Sequence, residues 1–263
     1  MIAGIFHAGS GLGNQLHRYV ATRVLAADKG LEFGMVNPGA FKGSHFMNLD
    51  MGKPVPGNYV VEPGTGKVFI DIEGMELFEE KKVIDENGVD IRGYDPEFNF
   101  VNDNTVIDGE FRDERYFEHR LWEINEWLGV EPLKMPNNVC VIGFRGGEFA
   151  TIPDLFLPGS YWNEAMQMIR KRDPYIRFVC VTDDPDTARS VLPPGVEITH
   201  DIADDWRMIR NARYCIISNS SFYILPSLLN KHAKLIIAPR YWARYNTKTW
   251  ALPQNYYKRF THI

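Results

Sequence analysis

Apolar positions along this chain fall into two rhythms. Short runs of β-branched and aromatic residues alternate with longer stretches in which apolar side chains recur every three or four positions. The first is the pattern of buried strands and the second that of amphipathic helices. In the second half the alternation is regular: strands at 138–144, 176–182, 195–199, 213–218 and 234–238, with helices at 160–172, 185–191, 204–212 and 221–231 between them. Alternation of this kind predicts βαβ units and a parallel sheet.

The first half is less even. Met1–Phe6 reads as a strand running into the glycine-rich H-A-G-S-G-L-G-N-Q-L. A helix follows from Asn14 to Lys29, with Leu16, Tyr19, Val20 and Val24 on one face and Gly30 ending it. Leu31–Val36 is a second strand, and residues 37–66 are rich in Gly, Pro and Asn without clear period. Strands are expected at Lys67–Ile72 and Val106–Phe111, with a short charged helix over Met75–Lys82 between them. Asp113–Leu128 reads as an amphipathic helix burying Tyr116, Phe117, Leu121, Ile124 and Leu128. A linker at 129–138, carrying Pro132 and Pro136, divides the chain into 1–135 and 136–245. The tail 246–263 has Trp250, Tyr256, Tyr257 and Phe260 to pack back on the body.

Composition narrows the picture. At 263 residues the chain suits one large domain or two smaller ones. A net charge of −5 argues against a nucleic-acid surface. Cys140, Cys180 and Cys215 each sit inside an expected strand, which suits small core side chains in a reducing compartment better than disulfides or a zinc site. The first residues lack the basic flank and apolar run of a signal peptide, and no stretch approaches a membrane span. The expectation is a soluble cytoplasmic protein, with room for a peripheral membrane contact.

The candidate chemistry centres on Asn138–Phe149, N-V-C-V-I-G-F-R-G-G-E-F. Ligands of open α/β sheets bind past the carboxyl ends of the strands. Arg145 leaves an apolar run at such a place, between small residues that let a phosphate approach the backbone, and Glu148 follows within reach. Thr182-Asp183-Asp184 and Ser218-Asn219-Ser220-Ser221 end two other expected strands and would emerge along the same edge. The serines also suit plain helix capping. Asp184-Pro185-Asp186 has the spacing of a metal-holding D-x-D, yet an aspartate cap with proline at the first helical position explains it more simply.

Taken in order, these stretches resemble the α1,2-fucosyltransferase family, glycosyltransferase family 11. Gly9–Tyr19 is similar to its opening G-G-L-G-N-Q-L-F-Q-Y, and Ile107–Phe117 to its strand followed by a "YF" helix start. Gly143–Glu148 stands where the family has H-x-R-R-G-D, and Val181–Asp184 resembles its S-D-D. Ile216–Phe222 and Ile237–Trp242 resemble its last two blocks. Gly143 replaces the family's histidine, Gly146 its second arginine and Glu148 its aspartate. Ile224-Leu225 replaces a tryptophan pair, and Pro226 should kink the last long helix or delay its start.

The resemblance implies an α/β, GT-B-like fold: two Rossmann-like domains whose parallel sheets face each other across a cleft. It implies an inverting transferase moving fucose, or a related sugar, from a GDP-sugar to a glycan acceptor, with no metal and no other cofactor. Arg145 would stabilise the leaving diphosphate, helped by Ser220, Ser221 and the backbone of Phe222, with Asn219 in the same block. Gly11, Gly13 and Asn14 would reach the diphosphate from the other domain, and Asp183 or Asp184 would lie near the nucleoside. Glu148 is the first candidate for the base, with His7 and His17 behind it. Loss of the histidine and the second arginine keeps two alternatives open: a different nucleotide-sugar donor, or a non-catalytic nucleotide-sugar or glycan binder.

Overall fold

The computed structural model describes residues 1–65, 68–71, 74–86, 90–249 and 255–263. They form two compact units, Met1–Val130 and Glu131–Ile263. Trp250 lies outside the described residues, as do Lys67 and Ile72, the ends of one expected strand.

In the first unit β1 (Ile2–Ile5) leads through the glycine turn into α1 (Leu12–Lys29), and β2 (Phe33–Val36) returns beside β1. Leu16, Tyr19, Val20 and Val24 are fully buried, as their helical spacing requires. The helix ends on Gly30 at φ 64, whose N–H bonds the carbonyls of Ala26 and Ala27. β3 (Asn58–Val61) lies in the stretch read as irregular and pairs antiparallel with β4 (Val68–Asp71), which falls within the strand expected at 67–72. β5 (Glu76–Glu79) and β6 (Thr105–Asp108) complete a parallel sheet in the order β2-β1-β6-β5.

Two expectations fail here. Met75–Lys82 holds the edge strand β5 and not a helix. Its side chains are mostly exposed, so no apolar period reports the state, and the backbone ladder to β6 decides it. The stretch 113–128 is not one helix either. It forms two single 3₁₀ turns, Glu114–Tyr116 and Glu118–Arg120, followed by α2 (Leu121–Trp127). Tyr116 packs against Phe98 and Phe111 at ring distances of 4.8 and 5.3 Å. Seating that ring and Phe117 in the core takes a non-helical backbone at Phe117, φ −149 and ψ −4.

The second unit follows its sequence pattern closely. Its elements are β7 (Val139–Phe144), α3 (Gly159–Arg172), β8 (Arg177–Thr182), α4 (Pro185–Val191), β9 (Glu197–Thr199) and α5 (Ile202–Asn211). β10 (Tyr214–Ile217), α6 (Ser221–Leu229), β11 (Leu235–Ala238) and β12 (Thr261–His262) follow. The sheet is parallel throughout, in the order β12-β11-β10-β7-β8-β9. All six residues of β7 are buried, which is why it reads as an unbroken apolar run. The three cysteines are free and buried in β7, β8 and β10, and burial pushes each thiol above its ordinary range. α6 begins at Ser221 without delay and carries Pro226 inside it. The tail adds β12 to the sheet edge, with Tyr257 and Phe260 buried.

Both sheets reverse direction once. Chain order runs outward from β1 to β2, then resumes at the opposite edge with β5 and comes back inward to β6 beside β1. It runs outward from β7 through β8 to β9, then resumes on the other side of β7 with β10. Such switch points leave a crevice at the strands' carboxyl ends.

Candidate functional site

At the second unit's switch point Arg145 follows β7. Its Nη1 lies 2.7 Å from Asp183 Oδ2, and its Nη2 donates to Glu148 Oε1 at 3.1 Å. The guanidinium sits 5.4 Å from the centre of the Phe149 ring, within range of a cation–π contact. Asp183 Oδ1 accepts the Gly146 N–H at 2.9 Å, and Asp184 Oδ2 accepts the Gly147 N–H at 3.2 Å. Gly147 has φ +42, a conformation that side chains disfavour, and a Cβ there would stand 2.5 Å from Asp183 Oδ2. Two backbone donors that would cradle an anion are thus taken by the chain's own carboxylates.

Asp184 caps α4 through Thr187 N and Thr187 Oγ1 at 3.1 and 2.6 Å, with Pro185 at the first helical position. These bonds hold its carboxyl below the ordinary range. Asp186 is exposed and pairs with Arg189. The D-P-D stretch is therefore a helix start. Among the described residues no three His, Cys, Asp or Glu side chains form a metal-binding group.

On the other side of the crevice the Ser218 N–H donates to the Gly143 carbonyl at 2.9 Å, so the serine turn begins beside the strand that carries Arg145. Ser220 is the cap of α6, its hydroxyl accepting from Phe222 N, and Ser221 opens the helix. Asn219, expected among the donor-binding residues, has its amide turned to the backbone. It is buried, and its amide donates to the carbonyls of Leu155 and Trp242 at 2.8 and 2.6 Å, tying two loops together. The Ser218 hydroxyl is enclosed without a partner.

Tyr223, which sequence reasoning missed, explains the unusual glycines. It is buried against the strand ends, its hydroxyl donating to the Phe144 carbonyl at 2.9 Å and lying 3.3 Å from that of Val181. A Cβ at Gly143 would stand 2.7 Å from its ring. A Cβ at Gly146 would stand 2.6 Å from Asp184 Cβ. Such separations are too short for packed atoms, so Tyr223 and Asp184 already hold the space that side chains at these positions would need.

The first unit's switch point lies between β1 and β6. His7, just past β1, has Nε2 at 2.9 and 3.0 Å from the two oxygens of Asp108, the last residue of β6. Its Nδ1 accepts the Val68 N–H at 3.2 Å, which assigns the proton to Nε2. Burial opposes charge on Asp108, yet bonding to His7 and the nearby Arg18 draw its carboxyl below the ordinary range. Arg18 reaches from α1 to the Gly109 carbonyl at 2.6 Å and the Ser10 hydroxyl at 3.0 Å. Gly9 has φ +84, Gly11 is the cap residue of α1 without a side-chain bond, and Gly13 is buried. Asn14 Oδ1 is enclosed with no partner.

His17 is a different case. It is fully buried, its Nδ1 donates to the Gly13 carbonyl at 2.8 Å, and Nε2 has no partner. Burial lowers its pKa to about 4, so it sits neutral in the core. Asp108 is the other residue that sequence reasoning missed. Its strand was legible, but its pairing with His7 spans about a hundred residues and depends on which strand lies beside β1.

No family model and no curated protein matches the sequence. Solved structures of similar fold include the heptosyltransferase WaaC of E. coli with ADP, at 14% identity and TM-score 0.46, covering 92% of this chain and 88% of that one. The same E. coli enzyme with ADP-2-deoxy-2-fluoro heptose gives 13% identity and TM-score 0.48, covering 100% and 93%. No helix among the described residues is long and apolar enough to cross a membrane.

Proposed function

We propose that the protein is a nucleotide-sugar-dependent glycosyltransferase whose donor diphosphate is met by Arg145. One observation carries this reading: Arg145 and the Ser218–Ser221 turn leave adjacent parallel strands at the point where strand order reverses. As the bond from the anomeric carbon to the diphosphate oxygen breaks, charge grows on that oxygen. An always-charged, forked guanidinium stabilises it, and the hydroxyls of Ser220 and Ser221 add donors. Asp183 acts as the positioning partner that holds the fork, while the exposed Glu148 gives up its contact when the diphosphate arrives. Glu148 is then free to take the proton from the acceptor hydroxyl as that oxygen attacks the opposite face of the sugar, which inverts its configuration.

The donor is proposed to differ from GDP-fucose. Tyr223 and Asp184 fill the room that the fucosyltransferase histidine and second arginine would need, so this pocket offers a donor a different set of contacts. A panel of GDP-, ADP- and UDP-sugars, scored for nucleotide release with and without glycan acceptors, tests both statements. Turnover of one donor that is lost in Arg145→Ala supports the assignment. Turnover of GDP-fucose above all others would restore the fucosyltransferase reading, and tight binding without turnover of any donor would make the protein a binder.

A further inference from the structure

The opposite edge of the second unit's sheet carries a cavity lined by basic side chains. It opens at the amino ends of β7, β10 and β11 and has a volume of about 470 Å³, within the usual ligand-pocket range of roughly 300–1,000 Å³. Lys134 reaches it from the segment before β7, Arg213 from the α5–β10 turn, and His232 and Lys234 from the α6–β11 turn. Asn211 and Met135 line it as well, and no carboxylate does. Among the described residues none of the four basic side chains has an ion-pair partner.

The walls are fixed before any ligand arrives. Asn230 is fully buried and donates to the carbonyls of Ile209 and Ala212 at 2.7 and 2.8 Å, while its oxygen accepts the N–H groups of His232 and Ala233 at 2.8 and 2.9 Å. One side chain thus locks both turns, and the Lys234 N–H bonds the Arg213 carbonyl at 2.8 Å to hold them side by side. Arg213 lies 5.4 Å from the Tyr214 ring centre, and its Nε is enclosed with no hydrogen-bond partner. A buried guanidinium N–H left unpaired costs free energy unless an acceptor supplies the bond. Like charges gathered on a rigid frame repel until a counter-charge enters.

We propose that this cavity binds a phosphate-bearing ligand, either a small phosphorylated molecule or a phospholipid headgroup. The test is calorimetric titration of the full chain with pyrophosphate, alongside co-sedimentation with vesicles of phosphatidylglycerol in phosphatidylcholine. Arg213→Gln and, separately, the exposed Lys234→Gln should each weaken binding about tenfold, the worth of one charge-assisted hydrogen bond. Arg145→Ala should leave this binding event in place. Loss in the vesicle arm alone identifies a lipid source, and loss with pyrophosphate identifies a soluble one. The proposal falls if neither probe binds, if both cavity variants bind like wild type, or if Arg145→Ala alone abolishes binding. Lys234→Gln decides the matter should Arg213→Gln fail to fold.

Discussion

The two ends of the second unit's sheet are built to opposite electrostatic plans. Its carboxyl end gathers Arg145 with Asp183, Asp184 and Glu148, and the carboxylates occupy both the guanidinium and the glycine N–H groups beside it. Its amino end gathers Lys134, Arg213, His232 and Lys234 around a cavity without a carboxylate in its lining. Pairing is what separates them. A fixed cation already held by a flexible acid can exchange that partner for a substrate during turnover. Unpaired cations on a rigid frame suit lasting occupancy.

The largest effect that would break this contrast is chemical. Arg145→Ala should lower donor turnover by roughly 10²–10³-fold, the scale of losing one transition-state donor, while the melting temperature barely moves. A variant that unfolds readily, with activity per folded molecule intact, would make Arg145 structural. Nucleotide release and a thermal melt on the same samples separate the outcomes.

The next effect concerns the surplus of acid at the carboxyl end. Asp205, buried at the start of α5, has its carboxyl raised to about 7, chiefly by burial. The folded chain therefore holds a proton there that the unfolded chain has released above the ordinary carboxylate range. This site's contribution to stability falls as pH rises from about 4 to about 7 and then levels off. Asp205→Asn should match wild type at the acid end and gain steadily towards pH 7, by at most about 1.4 kcal/mol per pH unit. His17 acts in the opposite sense. With its pKa lowered to about 4, it contributes stability that is lost as pH falls below its ordinary 6.5. Urea titrations of the two variants Asp205→Asn and His17→Phe across pH 4–8 should show slopes of opposite sign relative to wild type.

Packing gives a smaller effect. Gly143→Ala should destabilise by about 1–3 kcal/mol, the cost of overfilling a packed site. The same change made with Tyr223→Leu should cost less than the sum of the two single changes, because the ring is what the new methyl meets. Additive costs would mean that Tyr223 does not guard that space. The smallest expected effect comes from Asp183→Asn, which leaves the guanidinium with one charged partner fewer. Pyrophosphate affinity at the carboxyl end should rise severalfold in low salt and the gain should shrink as salt screens it. That titration is run in a background carrying both Arg213→Gln and Lys234→Gln, which weakens the other site.

Much of the second unit was legible because its central strands are buried on both faces, and α3 and α5 on one, so the sequence carries two clear periods. β7, α3, β8, α4 and α6 begin within a residue of where those periods place them. The glycine turn, Arg145 and the serine block were legible for the same reason: strand ends can be counted from the pattern. In the first unit β5 and the 3₁₀ turns were not legible. An exposed edge strand has no apolar period, and Tyr116 follows the aromatic cluster it joins more than its helix propensity.

What the residues alone determined is where each strand ends and which side chains stand there. Which ends become neighbours was decided by strand order, and strand order is set by long-range packing that no local pattern records. That order put Asp183 on Arg145, Asp108 on His7, and Tyr223 into the space beside Gly143. It also brought Lys134, Arg213, His232 and Lys234, about a hundred residues apart at their extremes, to a single cavity. Charges separated along the chain carry no sign of their meeting, because only the folded sheet brings them within the short range over which they act.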